Sequence, residues 1–294
     1  MLMSEAALDQ ASGLRRMANP QPVRVIAVTS GKGGVGKSNL SVNIAVAMAN
    51  IGHQVMLMDA DLGLANIDIL LGLRHEYNLE HVLNGERTLE EVVVEGPAGV
   101  KIIPAASGNQ KMAELSPAEN AGVIQAFSEL SHPIDTLIID TAAGLSDSVM
   151  AFTRAAREVI VIVCDEPASI TDAYATIKVL SRDYKIERFH VVANMARSIK
   201  QGHELFSKLT LVTERFLDVT LDFTGVVPFD EMLVKAVRQQ RAVVDAYPRS
   251  RAGMAFKKIV QKIDRWPTPS HAEGHLEFFV ERLIRFSAIE GARQ

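Results

Sequence analysis

The sequence predicts an α/β fold: a doubly wound, mostly parallel sheet with helices on both faces. Three observations predict it. Strand-length apolar runs alternate with helix-length stretches along most of the 294 residues, the pattern of successive βα units. Several of those runs are apolar at consecutive positions, as in strands covered on both faces. The first run also leads straight into a glycine-rich loop that opens a helix.

Taken in order, strands are predicted over residues 23–29, 54–59, 100–103, 136–140, 159–164, 189–193 and 224–227. Helices are predicted over 39–49, 117–130, 147–156, 170–183, 203–218 and 231–246. No repeat, low-complexity tract or linker interrupts residues 23 to 266, so one domain over 21–266 is expected. It is flanked by an N-terminal arm, 1–20, and a C-terminal segment, 267–294, set off by Pro267 and Pro269.

Apolar residues make up 48% and charged residues 22%, which excludes wholesale disorder. The net charge of −4 argues against a polyanion-binding chain, but residues 235 to 265 carry nine Lys/Arg against two acidic residues. The single cysteine, Cys164, cannot form an intrachain disulfide or a CxxC metal knuckle, so a cytoplasmic protein is expected. The first twenty residues lack an apolar signal core, and no apolar run reaches the ~18 residues of a membrane span. Membrane contact would therefore be peripheral.

The segment from Ser30 to Ser38 reads SGKGGVGKS and fits GxxxxGK[ST], with Gly31, Gly36, Lys37 and Ser38 in register. Glycines at Gly31, Gly33, Gly34 and Gly36 let backbone N–H groups, including those of Val35 and Asn39, turn towards phosphate oxygens. Lys37 would neutralise the terminal phosphates, and the Ser38 hydroxyl is a hard ligand for Mg²⁺. ATP and Mg²⁺ are thus the expected cofactors. Polar residues at strand C-termini face the ligand crevice of an open α/β sheet, which directs Asp59 and Asp61 towards the γ-phosphate and metal. The apolar run at 137–139 ends in Asp140, the Walker B arrangement for holding Mg²⁺ directly or through water.

Lys32 gives the loop the form KGGxGK, which resembles the deviant Walker A family that includes MinD cell-division and ParA/Soj partition ATPases. The resemblance implies an ATP-dependent homodimer in which Lys32 reaches the partner's phosphates, and slow, Mg²⁺-dependent hydrolysis of ATP to ADP and phosphate. It implies that Asp61 orients the attacking water in a first switch segment containing Gly63. Asp140 and Gly144 belong to the second switch, and Asp59 lies near the metal. It further implies that Asn194 recognises adenine beside Pro228 and Asp230, and that Asp172 caps a helix near the first switch. Helix capping or turn chemistry would also account for Asp172, Asn194 and Pro228.

The N-terminal stretch DQAxxLR, with Asp9, Gln10, Ala11, Leu14 and Arg15, resembles the arm of the FlhG/FleN group of MinD-like ATPases, which control flagellar number. There it stimulates an SRP-type GTPase, FlhF. Near the C-terminus, Leu276, Phe279, Val280, Leu283, Ile284 and Phe286 recur along one side of a predicted amphipathic helix. Such a stripe ordinarily packs on its own domain, but MinD-like proteins carry a membrane-targeting helix at that place. The resemblance thus implies reversible binding to the inner membrane surface, at the flagellated pole. It also implies a FleQ/FlrA-type transcription regulator and the C-ring protein FliM as partners, with no direct nucleic-acid contact. The principal alternative is a ParA-type partition ATPase coating DNA through the basic 235–265 stretch. An iron–sulfur carrier is disfavoured by the lone cysteine, and a non-catalytic binding module is separated by measuring turnover.

Overall fold

The computed structural model describes residues 22–61, 66–105, 126–127, 130 and 134–267. The predicted arm 1–20, Gly63, most of the 117–130 helix and the stretch carrying Leu276 to Phe286 lie outside these residues.

An eight-stranded sheet organises the chain, as the apolar runs predict. Its strands are β1 (Arg24–Thr29), β2 (Val55–Ala60), β3 (Val94–Glu95), β4 (Lys101–Ile103), β5 (Thr136–Thr141), β6 (Glu158–Val163), β7 (Arg188–Ala196) and β8 (Thr220–Pro228). Their order is β3-β4-β2-β5-β1-β6-β7-β8. All pairings are parallel except that of β3 with β4. Every residue of β1, β2 and β5 is buried, the physical reason their sequences are apolar without alternation.

Helices cover both faces. On one lie α1 (Lys37–Ala49), α8 (Glu231–Arg238), α9 (Val243–Ala246) and α10 (Arg251–Ile263), whose Ile44, Met48, Val243, Phe256 and Ile259 share a core with Ile26, Val28 and Ile138 of the sheet. On the other lie α5 (Asp147–Ala155), α6 (Pro167–Tyr184) and α7 (Ile199–Phe216), with Phe152 buried against Ala27 and Leu137, and Ile177 and Leu205 against Val161 and Val191. Three short helices, α2 (Ile67–Leu71), α3 (Leu79–Leu83) and α4 (Leu89–Val92), bridge β2 to β3.

The predicted single helix over 231–246 is two. Gln240 takes a left-handed backbone (φ 54°), and the N–H of Arg241 returns to the Ala236 carbonyl, closing α8. The Gln240 side chain donates to the carbonyl of Ile69 at 3.0 Å, so the break joins this region to α2. Helix α7 begins four residues earlier than predicted because Ser198 caps it, accepting from the N–H of Gln201 at 3.1 Å. Cys164 follows β6 rather than lying within it, and is buried.

Candidate nucleotide-binding and switch site

The order β2-β5-β1-β6 brings together, at the C-terminal ends of adjacent strands, the loop after β1 and the carboxylates of β2 and β5. Asp59 and Asp140 are direct register partners, and Val28 pairs with Asp140 on the other side. Successive strands at this point send their following helices to opposite faces, which opens the crevice where doubly wound sheets bind ligands.

Glycines shape the loop. Gly34 and Gly36 have φ of 77° and 89°, a region that side chains rarely enter. A Cβ on Gly36 would also stand 2.4 Å from the Asn194 amide nitrogen, and one on Gly31 would stand 2.3 Å from the Asp172 carbonyl oxygen. The loop is therefore pressed against β7 at one end and α6 at the other. Asn194 is buried and donates from Nδ2 to the Val35 carbonyl at 2.7 Å. Asp172 sits in the second turn of α6, whose cap position is Glu166. Asp172 is thus too far inside α6 to cap that helix, and its backbone offers the surface on which Gly31 rests.

Lys37 opens α1 and lies 8% exposed under the loop. Its Nζ donates at 3.1 Å to the Ser30 hydroxyl, which itself donates to the Lys32 carbonyl at 2.7 Å. Burial lowers the Lys37 pKa, opposed by the nearby carboxylates of Asp140 and Asp61. Lys32 is different: partly exposed, it pairs with Glu166 at the start of α6, which raises its pKa.

The two strand-end aspartates are both buried, yet they are used differently. Asp59 accepts three backbone N–H groups, from Asp61 at 3.1 Å, Asn66 at 3.0 Å and Ile67 at 3.2 Å. Burial pushes its pKa up to about 6 against those hydrogen bonds. Asp140 accepts at Oδ1 from the Ser41 hydroxyl at 2.9 Å, while its second oxygen, Oδ2, is buried with no hydrogen-bond partner among the described residues. Burial pushes its pKa up to about 7, helped by Asp59 and opposed by Ser38, Ser41 and Lys37. An acceptor oxygen in that condition, beside a serine hydroxyl, has the chemistry of an Mg²⁺ site completed by phosphate and water. Among the described residues no group of three or more His, Cys, Asp or Glu side chains converges on a metal position. Mg²⁺ keeps several waters and takes few protein ligands, so a serine hydroxyl and one carboxylate fit it.

The remaining predicted positions fall around this centre. Gly144 (φ 99°) donates from its N–H to the Ser30 carbonyl at 3.0 Å, tying the segment after β5 to the loop. Asn66 reaches Asp61 Oδ2 at 3.5 Å across the segment after β2. Pro228 ends β8, and the Asp230 carboxylate caps α8 through Met232 N–H (2.9 Å) and holds Ala252 N–H of α10 (2.8 Å). Sequence reasoning missed Ser30, Ser41 and Glu166. Ser41 was within reach, since it stands one helical turn after Lys37; Glu166 is separated from Lys32 by 134 residues, and no local pattern pairs them.

Fold and site together define a P-loop NTPase of the ParA/MinD class. The ParA family model, described as NUBPL iron-transfer P-loop NTPase, matches residues 21–264. The antiactivator FleN of Pseudomonas aeruginosa is 57% identical over 95% of this chain and 100% of its own length. The flagellum site-determining protein YlxH of Helicobacter pylori is 32% identical over 91% of this chain and 92% of its own. Among solved structures, the septum site-determining protein MinD of Pyrococcus horikoshii, complexed with Mg-ADP, superposes with a TM-score of 0.67 at 26% identity, over 83% of this chain and 96% of that one. The chain belongs to the ParA/MinD family of P-loop NTPases, in the branch that holds FleN and YlxH. Iron transfer does not carry over from the family description: Cys164 has no second cysteine to pair with, and burial pushes its thiol up to about 11.

Proposed function

We propose that this chain is an ATP-driven switch that regulates the number and placement of flagella. The observation that carries the ATPase part is the convergence of the 30–38 loop with Asp140, whose Oδ2 is buried and has no partner among the described residues. ATP would lie in the loop with its base towards Asn194, Pro228 and Asp230. Ser38 and Asp140 would hold Mg²⁺, which supplies charge neutralisation at the phosphates when bound. Lys37 neutralises phosphate charge from beneath the loop, and Asp61 orients the attacking water. Asp59, with both oxygens given to backbone N–H groups of Asp61, Asn66 and Ile67, fixes the segment that carries Asp61 and would support the cation from nearby rather than by holding it. Gly144 couples the segment after β5 to the loop, and Asp172 supports the loop's first turn. With positioning and electrostatics as its means, turnover is slow, as suits a switch.

Dimerisation with ATP supplies the second part of the reading. Lys32, held by Glu166 within one chain, would exchange that partner for the phosphates of a second copy. The 57% identity to an antiactivator supports restraint of a FleQ/FlrA-type transcription regulator. The arm with Asp9, Gln10, Ala11, Leu14 and Arg15 would engage an FlhF-type GTPase, and FliM would be met at the C-ring. No helix among the described residues is long and apolar enough to cross a membrane. Attachment at the pole would come from the terminal stripe Leu276, Phe279, Val280, Leu283, Ile284 and Phe286, two copies in the dimer binding more firmly than one. Gel filtration of the wild type and Asp61→Ala with ADP or ATP tests the switch. A dimer that accumulates only in Asp61→Ala with ATP is expected; four monomers, or four identical dimers, would contradict it.

A further inference from the structure

The basic stretch within 235–265 has no part in the nucleotide site, and the fold gathers much of it onto one surface. Helix α10 buries Phe256, Ile259, Val260 and Ile263 against β8 and α1, which fixes its orientation. Arg251, Met254, Lys257, Lys258, Lys262 and Arg265 are left exposed along the outer side. Between Arg251 and Arg265 the only acidic residue, Asp264, is engaged by His53 at 3.0 Å. Lys262 donates to the Phe223 carbonyl at 3.2 Å, whereas Arg251, Lys257, Lys258 and Arg265 have no side-chain partner among the described residues. Arg251, Lys257 and Lys258 stand within one helical turn of the exposed Met254, and Arg265 follows the end of the helix, which makes an anion-seeking surface with an apolar contact in it.

The place of this surface selects among anions. The Arg24 guanidinium, at the start of β1, donates to the carbonyls of Ile263 at 3.0 Å and Trp266 at 3.1 Å. The Trp266 indole stacks on His190 of β7, with ring centroids 3.7 Å apart. The end of α10 is thereby fastened to the sheet, and the chain leaves for its terminal amphipathic stretch from a fixed point beside Arg265. Only nine residues separate Trp266 from Leu276, a reach of at most about 36 Å when extended. A membrane that takes up the apolar stripe is thus held close to the cationic face.

We propose that the outer face of α10 is a docking surface for anionic phospholipid headgroups, acting as the electrostatic half of membrane attachment. A single amphipathic or acyl element gives marginal binding, and a basic patch beside it makes attachment firm. Each Lys or Arg near an anionic leaflet contributes about fivefold in affinity, less at high salt. The inference rests on the reading that the terminal stripe binds membranes.

The test is co-sedimentation of the full chain with ATP on vesicles of phosphatidylglycerol in phosphatidylcholine, and of phosphatidylcholine alone. Three proteins are compared: wild type, Lys257→Gln/Lys258→Gln/Arg265→Gln, and a control, Lys200→Gln/Lys208→Gln/Arg215→Gln, that removes as many exposed charges from α7. The α10 variant is expected to lose ten- to hundredfold in affinity for the anionic vesicles only, while the control stays near wild type and all three turn over ATP equally. Equal losses in both variants, or none in the α10 variant while the wild type binds, would overturn the inference and leave tail-driven attachment standing. A loss confined to binding of random duplex DNA would overturn it in favour of nucleic acid. A wild type that binds no vesicle would defeat the membrane reading itself.

Discussion

The ends of β2 and β5 lie side by side, and each presents a buried aspartate at the same level of the sheet. Asp59 has spent both oxygens on three N–H groups of its own loop, whereas one oxygen of Asp140 has no partner among the described residues. The first carboxylate organises its own loop, and we propose that the second receives a ligand that is not protein. Similar sequence context, an apolar strand ending in Asp, therefore yields two roles, decided by what the following residues bring back to the carboxylate.

The sharpest way to break this comparison is to remove one charge at a time. Asp140→Asn keeps the shape and the acceptor for Ser41 but loses the charged oxygen, and steady-state ATP turnover is expected to fall by about 100-fold or more. Asp59→Asn retains an acceptor for part of its loop, so turnover should fall by roughly 10-fold, through misplacement of Asp61. Equal losses would erase the distinction between the two strand ends.

A smaller effect is in stability. Both aspartates have folded-state pKa values raised by burial above 3.8, to about 7 for Asp140 and about 6 for Asp59. The folded state therefore binds more protons than the unfolded chain above pH 4. The stability they contribute is complete below about pH 4 and is lost as pH rises, through pH 6 for Asp59 and pH 7 for Asp140. In nucleotide-free thermal melts at pH 8, Asp140→Asn should melt several degrees above wild type. Asp59→Asn should gain less, because its three N–H donors favour the ionised carboxylate that the substitution removes. A wild-type melting temperature flat between pH 5 and 8 would contradict both assignments.

Much of this arrangement was legible in the sequence, and the reason is local. Consecutive apolar residues mark strands buried on both faces, and the loop from Ser30 to Ser38 needs only its own glycines, lysine and serine to be read as a phosphate cradle. Asp140 was legible because it ends an apolar run. What could not be read depends on tertiary contact: the press of Gly31 on Asp172, the pairing of Lys32 with Glu166, and the three N–H groups that claim Asp59. The break at Gln240 was hidden because a left-handed glutamine has no sequence signal, and its cause is an anchoring bond to Ile69.

Asp140 is the carboxylate proposed to receive Mg²⁺. Fluorescent ATP-analogue binding, titrated with Mg²⁺ from pH 6 to pH 8.5, tests this most directly. In the wild type the Mg²⁺-dependent gain in affinity should grow as pH rises through about 7, where the Asp140 carboxyl gives up its proton. In Asp140→Asn the gain should shrink by at least tenfold and lose its pH dependence, while Asp59→Asn keeps most of it. A Mg²⁺ dependence unchanged in Asp140→Asn would contradict the account.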